Sequence, residues 1–417
     1  MSHRRVLLIS YYFPPLGGAG IGRPLALFRH LNEFGYECHV LTVKPVLYRV
    51  YEPELLYGLE KSKIFRSGSW DPSRLAHLLG VRRVTTKTAD QSRKITKSFF
   101  PDAKTGWIGP AIRLGKKLCH RNKYDLIIST SPPISAHVVA KEIHISLKIP
   151  WVADFTDFWV SLKAENHFDS ELKVAKAKNL LAEIKSSADL VVAVNESCGE
   201  YVGAEQIISN CYDSDLAKLW NPLADAATFT IGVFGTLSDL TPIEPLLRVL
   251  QYVREKWKPV FDKLKVLQVG QVDVHWLNRQ LESYKIQDKF EVKQFQNRSL
   301  AIQLLSRSSL FYLGISRDQG KGITPGRIFS LLASGRPILA YAPPESEIDK
   351  IISKASNSFR FEDKSLDQAS EFLSRQVDKW SSGEVRFATE PDYAKEYSSK
   401  NMVRKFANLF DKLVASR

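Results

Sequence analysis

Short apolar runs separated by helical stripes recur along this chain of 417 residues. Val6–Ile9 is a run with β-branched members. Leu25, Phe28 and Leu31 then return at helical spacing, and Gly35 stands where such a helix ends. Cys38–Val43 is the next run. Strand, loop, helix and strand within about forty residues open a parallel α/β sheet. Residues 45–105 break the pattern and read as a long irregular excursion. Asp125–Ser129, Pro150–Ala153 and Leu190–Val194 are further strands of the buried type, with a helix at His137–Ile145. A second series starts near Thr230, with strands at Ile231–Phe234, Val266–Val269, Phe290–Val292, Leu310–Leu313 and Pro337–Ala340. Helices at Glu244–Lys256 and Ile302–Ser306 fall between them. Val403, Phe406, Phe410, Leu413 and Val414 share one stripe of a terminal helix.

The expected fold class is therefore α/β, with two tandem Rossmann-like parallel-sheet domains facing a cleft. Its parts are an N-terminal domain over 1–213, a linker over 214–229, a C-terminal domain over 230–392, and a terminal helix over 393–417 free to cross back to the first domain. Ligands of open α/β sheets bind beyond the carboxyl ends of the strands, which puts loops after strands at the centre of the functional search.

Charge adds a direction. The net charge is +14, and residues 1–150 carry 24 Lys and Arg against 10 Asp and Glu, so the remaining chain is neutral. That asymmetry suggests a surface that meets an anion. Two groups stand out: Arg82, Arg83, Lys87, Arg93, Lys94 and Lys97, followed by Phe99, Phe100, Trp107 and Ile108 as candidates for dipping into a membrane interface, and Arg113, Lys116 and Lys117 at helical spacings of three and four. Basic segment 82–97 has no interleaved aromatics to stack bases, which argues against nucleic acid. No run of 18 uninterrupted apolar residues exists, and the N-terminus lacks the pattern of a secretory signal. Four cysteines without a paired spacing give no zinc motif and fit a reducing compartment. No metal site is expected.

Three loops carry candidate chemistry. Gly17, Gly18, Gly20 and Gly22 follow the first strand and precede a helix, a setting in which a backbone approaches a phosphate. Asp154 and Asp157 follow the strand ending in Ala153, where two acids beside aromatics suit the orientation of a sugar hydroxyl or the stabilisation of positive charge at an anomeric carbon; the alternative is helix capping. Lys321, Gly322, Ile323, Thr324, Arg327 and Ser330 belong to a loop running into a helix that Gly335 ends, with two cations near free N–H groups.

At these residues the chain resembles the retaining glycosyltransferases of family four, which have the GT-B fold, and within them a bacterial subgroup of cell-surface polysaccharide synthesis. The resemblance runs over nearly the whole chain: SYYFPPLGGAGIGRPL, FPDAKTGWIGPAIRLGKKL, YDLIISTSPPISAHVVA, IPWVADFTDFW, ADLVVAVNES, ISNCYD, VFGTL and TPGRIFSLLASGRPILA follow in family order. It implies a nucleotide-diphospho-sugar donor held mainly by the C-terminal domain, an acceptor on the N-terminal domain, retention of configuration and no metal ion or other cofactor. On this basis Asp157 and Asp154 are the expected catalytic residues. Gly17, Gly18, Gly235, Thr236, Lys321, Gly322, Ile323, Thr324, Arg327 and Ser330 are expected at the donor, and Arg23, Arg113, Lys116 and Lys117 at the acceptor or the membrane. The expected partners are a nucleotide sugar, a lipid-linked or glycan acceptor and an anionic membrane surface, with the protein cytoplasmic and peripheral at the inner face of the membrane.

The family's paired glutamates fall at Gly322 and Ser330, its Arg and Lys after the GTL-like strand end are missing from 235–242, Thr156 stands where the subgroup has Arg, and Asn210-Cys211-Tyr212-Asp213 replaces Asn-Gly-x-Asp. The alternative is thus a catalytically degenerate member that binds a sugar nucleotide, a glycan or a partner enzyme without turnover.

Overall fold

The computed structural model describes residues 4–48, 50–80, 98–159, 168, 170–221, 227–317, 322–383 and 387–415. The chain divides into two compact units. Unit 1 holds residues 1–210 and 399–417, and unit 2 holds 211–398.

Unit 1 is built on a seven-stranded sheet. Its strands are β1 (Arg4–Ile9), β2 (Tyr36–Val43), β3 (Ile64–Ser67), β4 (Leu126–Ser131), β5 (Trp151–Phe155), β6 (Leu190–Ala193) and β7 (Gln206–Ile207). Their order is β3-β2-β1-β4-β5-β6-β7, with every pair parallel. Unit 2 repeats the plan with β8 (Phe229–Phe234), β9 (Leu264–Val269), β10 (Phe290–Lys293), β11 (Leu310–Gly314), β12 (Ile338–Tyr341) and β13 (Phe359–Phe361), ordered β10-β9-β8-β11-β12-β13 and also parallel. Strand order reverses between β1 and β4 in unit 1 and between β8 and β11 in unit 2. Those are the switch points at which open sheets leave a crevice.

Both faces of the central strands are buried. Leu310 and Tyr312 of β11 enter one core of unit 2, while Phe311 and Leu313 enter the other. Such strands read as unbroken apolar runs, which is why they were legible. The excursion expected over 45–105 contains β3 and a helix at Pro72–Leu78. The expected linker is partly core: Ala217 and Trp220 are buried in unit 2. Fully buried Arg336 ties that segment down, donating from Nη2 to Asn221 O (2.7 Å) and from Nε to Ser308 O (2.6 Å).

The terminal helix, Ser399–Ala415, belongs to unit 1. Met402, Val403, Phe406, Ala407 and Phe410 form its buried stripe. Polar pins flank it: Arg4 Nη1 and Tyr36 Oη donate to Asp411 Oδ1 (2.8 and 2.7 Å), and Lys400 Nζ meets Glu33 (2.9 Å).

Candidate functional site

In unit 2 the residues after β8 converge on the switch point. Gly235 has φ +101°, and its N–H donates to Val269 O (2.9 Å) while its carbonyl accepts from Gln268 Nε2 (2.7 Å). A Cβ there would stand 3.2 Å from Arg327 Cδ, so glycine both allows the backbone angle and leaves room for Arg327. The following loop is drawn over the end of β11: Tyr312 Oη donates to Pro242 O (2.9 Å), and a Cβ on Gly314 would meet that same oxygen at 2.3 Å. Thr236 is exposed, and its carbonyl accepts from Thr241 Oγ1 (2.6 Å).

Arg327 is half-buried and makes no hydrogen bond or ion pair among the described residues. Burial lowers its pKa to about 10, so the guanidinium stays charged at neutral pH. A partly desolvated cation without a counter-charge is costly, and the arrangement is suited to an incoming anion. Gly322, Ile323, Thr324 and Ser330 are half-buried around the same loop and helix. Lys321 lies outside the described residues. The helix itself, Arg327–Ala333, has only seven residues. The expected diphosphate seat therefore rests on the Arg327 charge rather than on a long helix.

In unit 1 several expectations are corrected. Gly17 and Gly18 do not form an open phosphate cradle. The Gly17 N–H donates to Val50 O (2.8 Å), and the Gly18 N–H faces Glu52 Oε2 (3.3 Å), a carboxylate that is 2% exposed. A Cβ on Gly17 would stand 2.4 Å from that oxygen. The Glu52 side chain fills the space that a phosphate would need at these two glycines.

Arg23 is not on the surface. Its guanidinium donates to both oxygens of Asp154, from Nε to Oδ2 (2.8 Å) and from Nη2 to Oδ1 (2.6 Å), and its Nη1 reaches Ile208 O (2.7 Å) and Ser209 O (3.0 Å). Arg23 is 4% exposed and Asp154 0%. Such burial removes Arg23 from any membrane or acceptor face, and Asp154 from direct acid or base work.

Asp157 is different. It stands two residues beyond β5, exposed, with Oδ1 accepting from the Phe158 N–H (2.8 Å). Thr156 beside it anchors the turn through Oγ1 to Ser131 O (2.6 Å), at the end of β4.

Helix Thr105–Arg121 presents Arg113 and Lys117 exposed and Lys116 half-buried, none in an ion pair or side-chain hydrogen bond among the described residues. Trp107, expected at a membrane interface, is fully buried on the opposite face with Ala111, Gly115 and Leu118. Phe100 packs on Trp159 and Phe168 instead of lying open. The cluster from Arg82 to Lys97 lies outside the described residues.

Sequence reasoning missed a polar group at the switch point of unit 1: Tyr12, Asp71 and Lys104. Lys104 sits within the FPDAKTGW block, but its spacing to Tyr12 and Asp71 carries no recognisable period. Among the described residues no helix is long and apolar enough to cross a membrane, and no group of three or more His, Cys, Asp or Glu gathers as for a metal ion.

No protein-family model matches the chain, and no curated protein matches it by sequence. Solved structures match it over its full length. A sucrose-phosphate synthase from Thermosynechococcus elongatus superposes with a TM-score of 0.66 at 12% identity, covering 99% of this chain and 100% of that one. The Anabaena protein HepE in complex with UDP gives 0.62 at 15% identity, covering 98% and 100%. The lipopolysaccharide outer core galactosyltransferase WaaB gives 0.58 at 13% identity, covering 98% and 99%. Identities this low establish the fold alone, two parallel-sheet α/β domains of the GT-B type.

Proposed function

We propose that this protein is a retaining glycosyltransferase of family four, of the hexosyltransferase type, which moves a sugar from a nucleotide-diphospho-sugar to a lipid-linked glycan acceptor in polysaccharide biosynthesis. The observation that carries this reading is Arg327, a half-buried guanidinium with no counter-charge among the described residues, against Gly235 at the switch point of unit 2. A diphosphate is the ligand class that such a charge accepts, and the HepE structure of the same fold was obtained with UDP. In this reading Arg327, with Lys321, meets the charge of the leaving diphosphate without a metal ion. Gly235, Thr236, Gly322, Ile323, Thr324 and Ser330 line the nucleotide, and Asp157 orients the acceptor.

The test is calorimetric titration with UDP, GDP and ADP. One of them should bind, and Arg327→Ala should weaken it about tenfold or more, since a charge-assisted contact contributes roughly 1.5–3 kcal/mol. Equal affinity for wild type and variant would remove Arg327 from the site. Tight nucleotide binding without donor hydrolysis or transfer would favour the degenerate, non-catalytic alternative.

The reading includes a cytoplasmic protein held peripherally at an anionic membrane face, and the geometry revises how it would attach. Four of the exposed apolar side chains, Trp70 (72%), Leu75 (43%), Leu78 (63%) and Leu79 (84%), gather on or beside helix Pro72–Leu78. The Trp70 N–H donates to Gly106 O (3.1 Å), which joins this helix to the start of the one that carries Arg113, Lys116 and Lys117. Each basic side chain near an anionic leaflet contributes about 1 kcal/mol. Co-sedimentation with phosphatidylglycerol vesicles should therefore fall at least tenfold when Arg113, Lys116 and Lys117 are all changed to Glu. It should also fall as salt rises toward 1 M, where the Debye length is about 3 Å. Binding indifferent to both would show that the basic face has another partner.

A further inference from the structure

We propose that Tyr12, Asp71 and Lys104 form a binding site for one pyranose ring of a neutral sugar at the switch point of unit 1. Assigning that ring to the acceptor rests on the glycosyltransferase reading, whereas the binding itself does not.

Side chains from three distant parts of the chain gather beyond the end of β1 around Tyr11, which contacts Tyr12, Asp71 and Lys104. Tyr11, two residues past β1, stands edge-on to Trp107 (5.3 Å between ring centres) and to Tyr12 (5.2 Å), and its hydroxyl donates to Asp71 Oδ2 (2.8 Å). Asp71 precedes helix Pro72–Leu78, where aspartate normally caps the first turn, yet its side chain makes no cap bond. It is 1% exposed, and its second oxygen, Oδ1, is buried with no partner among the described residues. An orphaned carboxylate oxygen is expensive to keep.

Lys104 is placed by Asp102. One oxygen of Asp102 accepts from the Lys104 N–H and the Ser135 hydroxyl (both 2.8 Å), and the other accepts from the Ser135 N–H (2.9 Å), just past β4. The Lys104 ammonium lies over the Tyr11 ring, 5.1 Å from its centre. It has a single hydrogen bond, 3.3 Å long, to Ser73 Oγ, and no carboxylate within ion-pair distance among the described residues. Burial pushes its pKa below the ordinary lysine range, while Asp71 and Asp102 push it back up. Two of its three donors are thus unfilled. The hydroxyl of half-buried Tyr12 likewise has no hydrogen-bond partner among the described residues. The Tyr12 ring lies along Gly20, where a Cβ would be 3.6 Å away, and beside the Tyr48 ring (5.4 Å).

The unfilled groups are one acceptor, one cationic donor and one hydroxyl that does either. A sugar hydroxyl is donor and acceptor at once. Entering beside the half-buried Lys104 and Tyr12, it accepts from the ammonium and donates to Asp71 Oδ1, and the Tyr12 and Tyr48 rings offer apolar surface to the sugar's C–H faces. A phosphate fits poorly, because its oxygens would meet the Asp71 Oδ1 acceptor without a proton to donate to it.

The experiment is saturation-transfer NMR on the full chain with methyl glycosides of glucose, galactose, mannose and N-acetylglucosamine, each with and without UDP. At least one glycoside should bind. Tyr12→Phe, which deletes only an unpartnered hydroxyl, should weaken it at least fivefold, and Lys104→Gln should abolish it, with UDP affinity and melting temperature of Tyr12→Phe unchanged. Absence of any glycoside signal, or wild-type binding by Tyr12→Phe, overturns the site. Inorganic phosphate that displaces the glycoside in a Lys104-dependent manner overturns the neutral-sugar assignment. Glycoside binding without UDP binding leaves this site standing and removes the donor reading, whereas UDP binding alone does the reverse.

Discussion

Asp154→Ala is expected to destabilise unit 1 by about 3–5 kcal/mol, because it strands a buried guanidinium. The Arg23 side chain answers Asp154 through two hydrogen bonds and spends its remaining nitrogen on Ile208 O and Ser209 O, at the last turn of chain before unit 2 begins. Its guanidinium also lies 4.9 Å from the centre of the Phe406 ring on the terminal helix. One cation therefore joins the first helix, β5, the exit segment and the returning helix. Without its counter-ion it must recruit water into a dry site or leave it, and either outcome loosens the helix that carries Phe406. At about 2–4 °C per kcal/mol for a domain of this size, the melting temperature of unit 1 should drop by roughly 10 °C. Asp154→Asn retains an acceptor and should cost less. The double variant Arg23→Met with Asp154→Leu should recover part of the loss, as apolar replacements of buried pairs commonly do. The measurement is chemical unfolding followed by tryptophan fluorescence. A change below about 1 kcal/mol for Asp154→Ala would show that the pair contributes little.

That ion pair also marks where sequence pattern stops being informative. The central strands were readable because burial on both faces leaves apolar runs such as Leu126–Ile128 and Leu310–Leu313. β3 was not, since Ile64, Phe65 and Arg66 are all only half-buried at the sheet's edge, and β7 has two exposed residues. The stripe of helix Thr105–Arg121 separates Trp107, inside, from Arg113, Lys116 and Lys117 on the other face by spacing alone, yet proximity to Phe99 and Phe100 made Trp107 look interfacial. At the sites the failures are non-local. Nothing in Gly17-Gly18 announces that Glu52, 34 residues beyond Gly18, fills the space a phosphate would need. Asp154 and Asp157 look alike as residues in one motif. They differ because β5 buries every residue from Trp151 to Phe155 and ends before Asp157. Arg327 was legible from its place in a glycine loop before a helix, but that no counter-charge meets it among the described residues is a property of the fold.

Asp157→Asn should lower sugar transfer by about a hundredfold while leaving nucleotide affinity within a factor of two. This follows from the proposed orientation of the acceptor by an exposed carboxylate beyond β5, at the carboxyl end of the sheet. The substitution is nearly isosteric. Asparagine keeps the oxygen that accepts from the Phe158 N–H, and Thr156 still holds the turn to Ser131, so the local backbone should survive. The charge and its capacity to accept the acceptor hydroxyl's proton strongly are removed. An interaction made mainly in the transition state appears in kcat and not in donor binding, and a hundredfold loss corresponds to about 2.7 kcal/mol of barrier. Initial rates at saturating donor, set beside calorimetric nucleotide affinities, separate these quantities. Were the variant to melt several degrees lower with turnover intact, Asp157 would be a turn-forming residue of β5 and the acceptor's orientation would have to come from elsewhere. If turnover fell in Asp157→Asn and in Tyr12→Phe, with donor affinity unchanged in both, the two positions would belong to the same acceptor-binding function of unit 1.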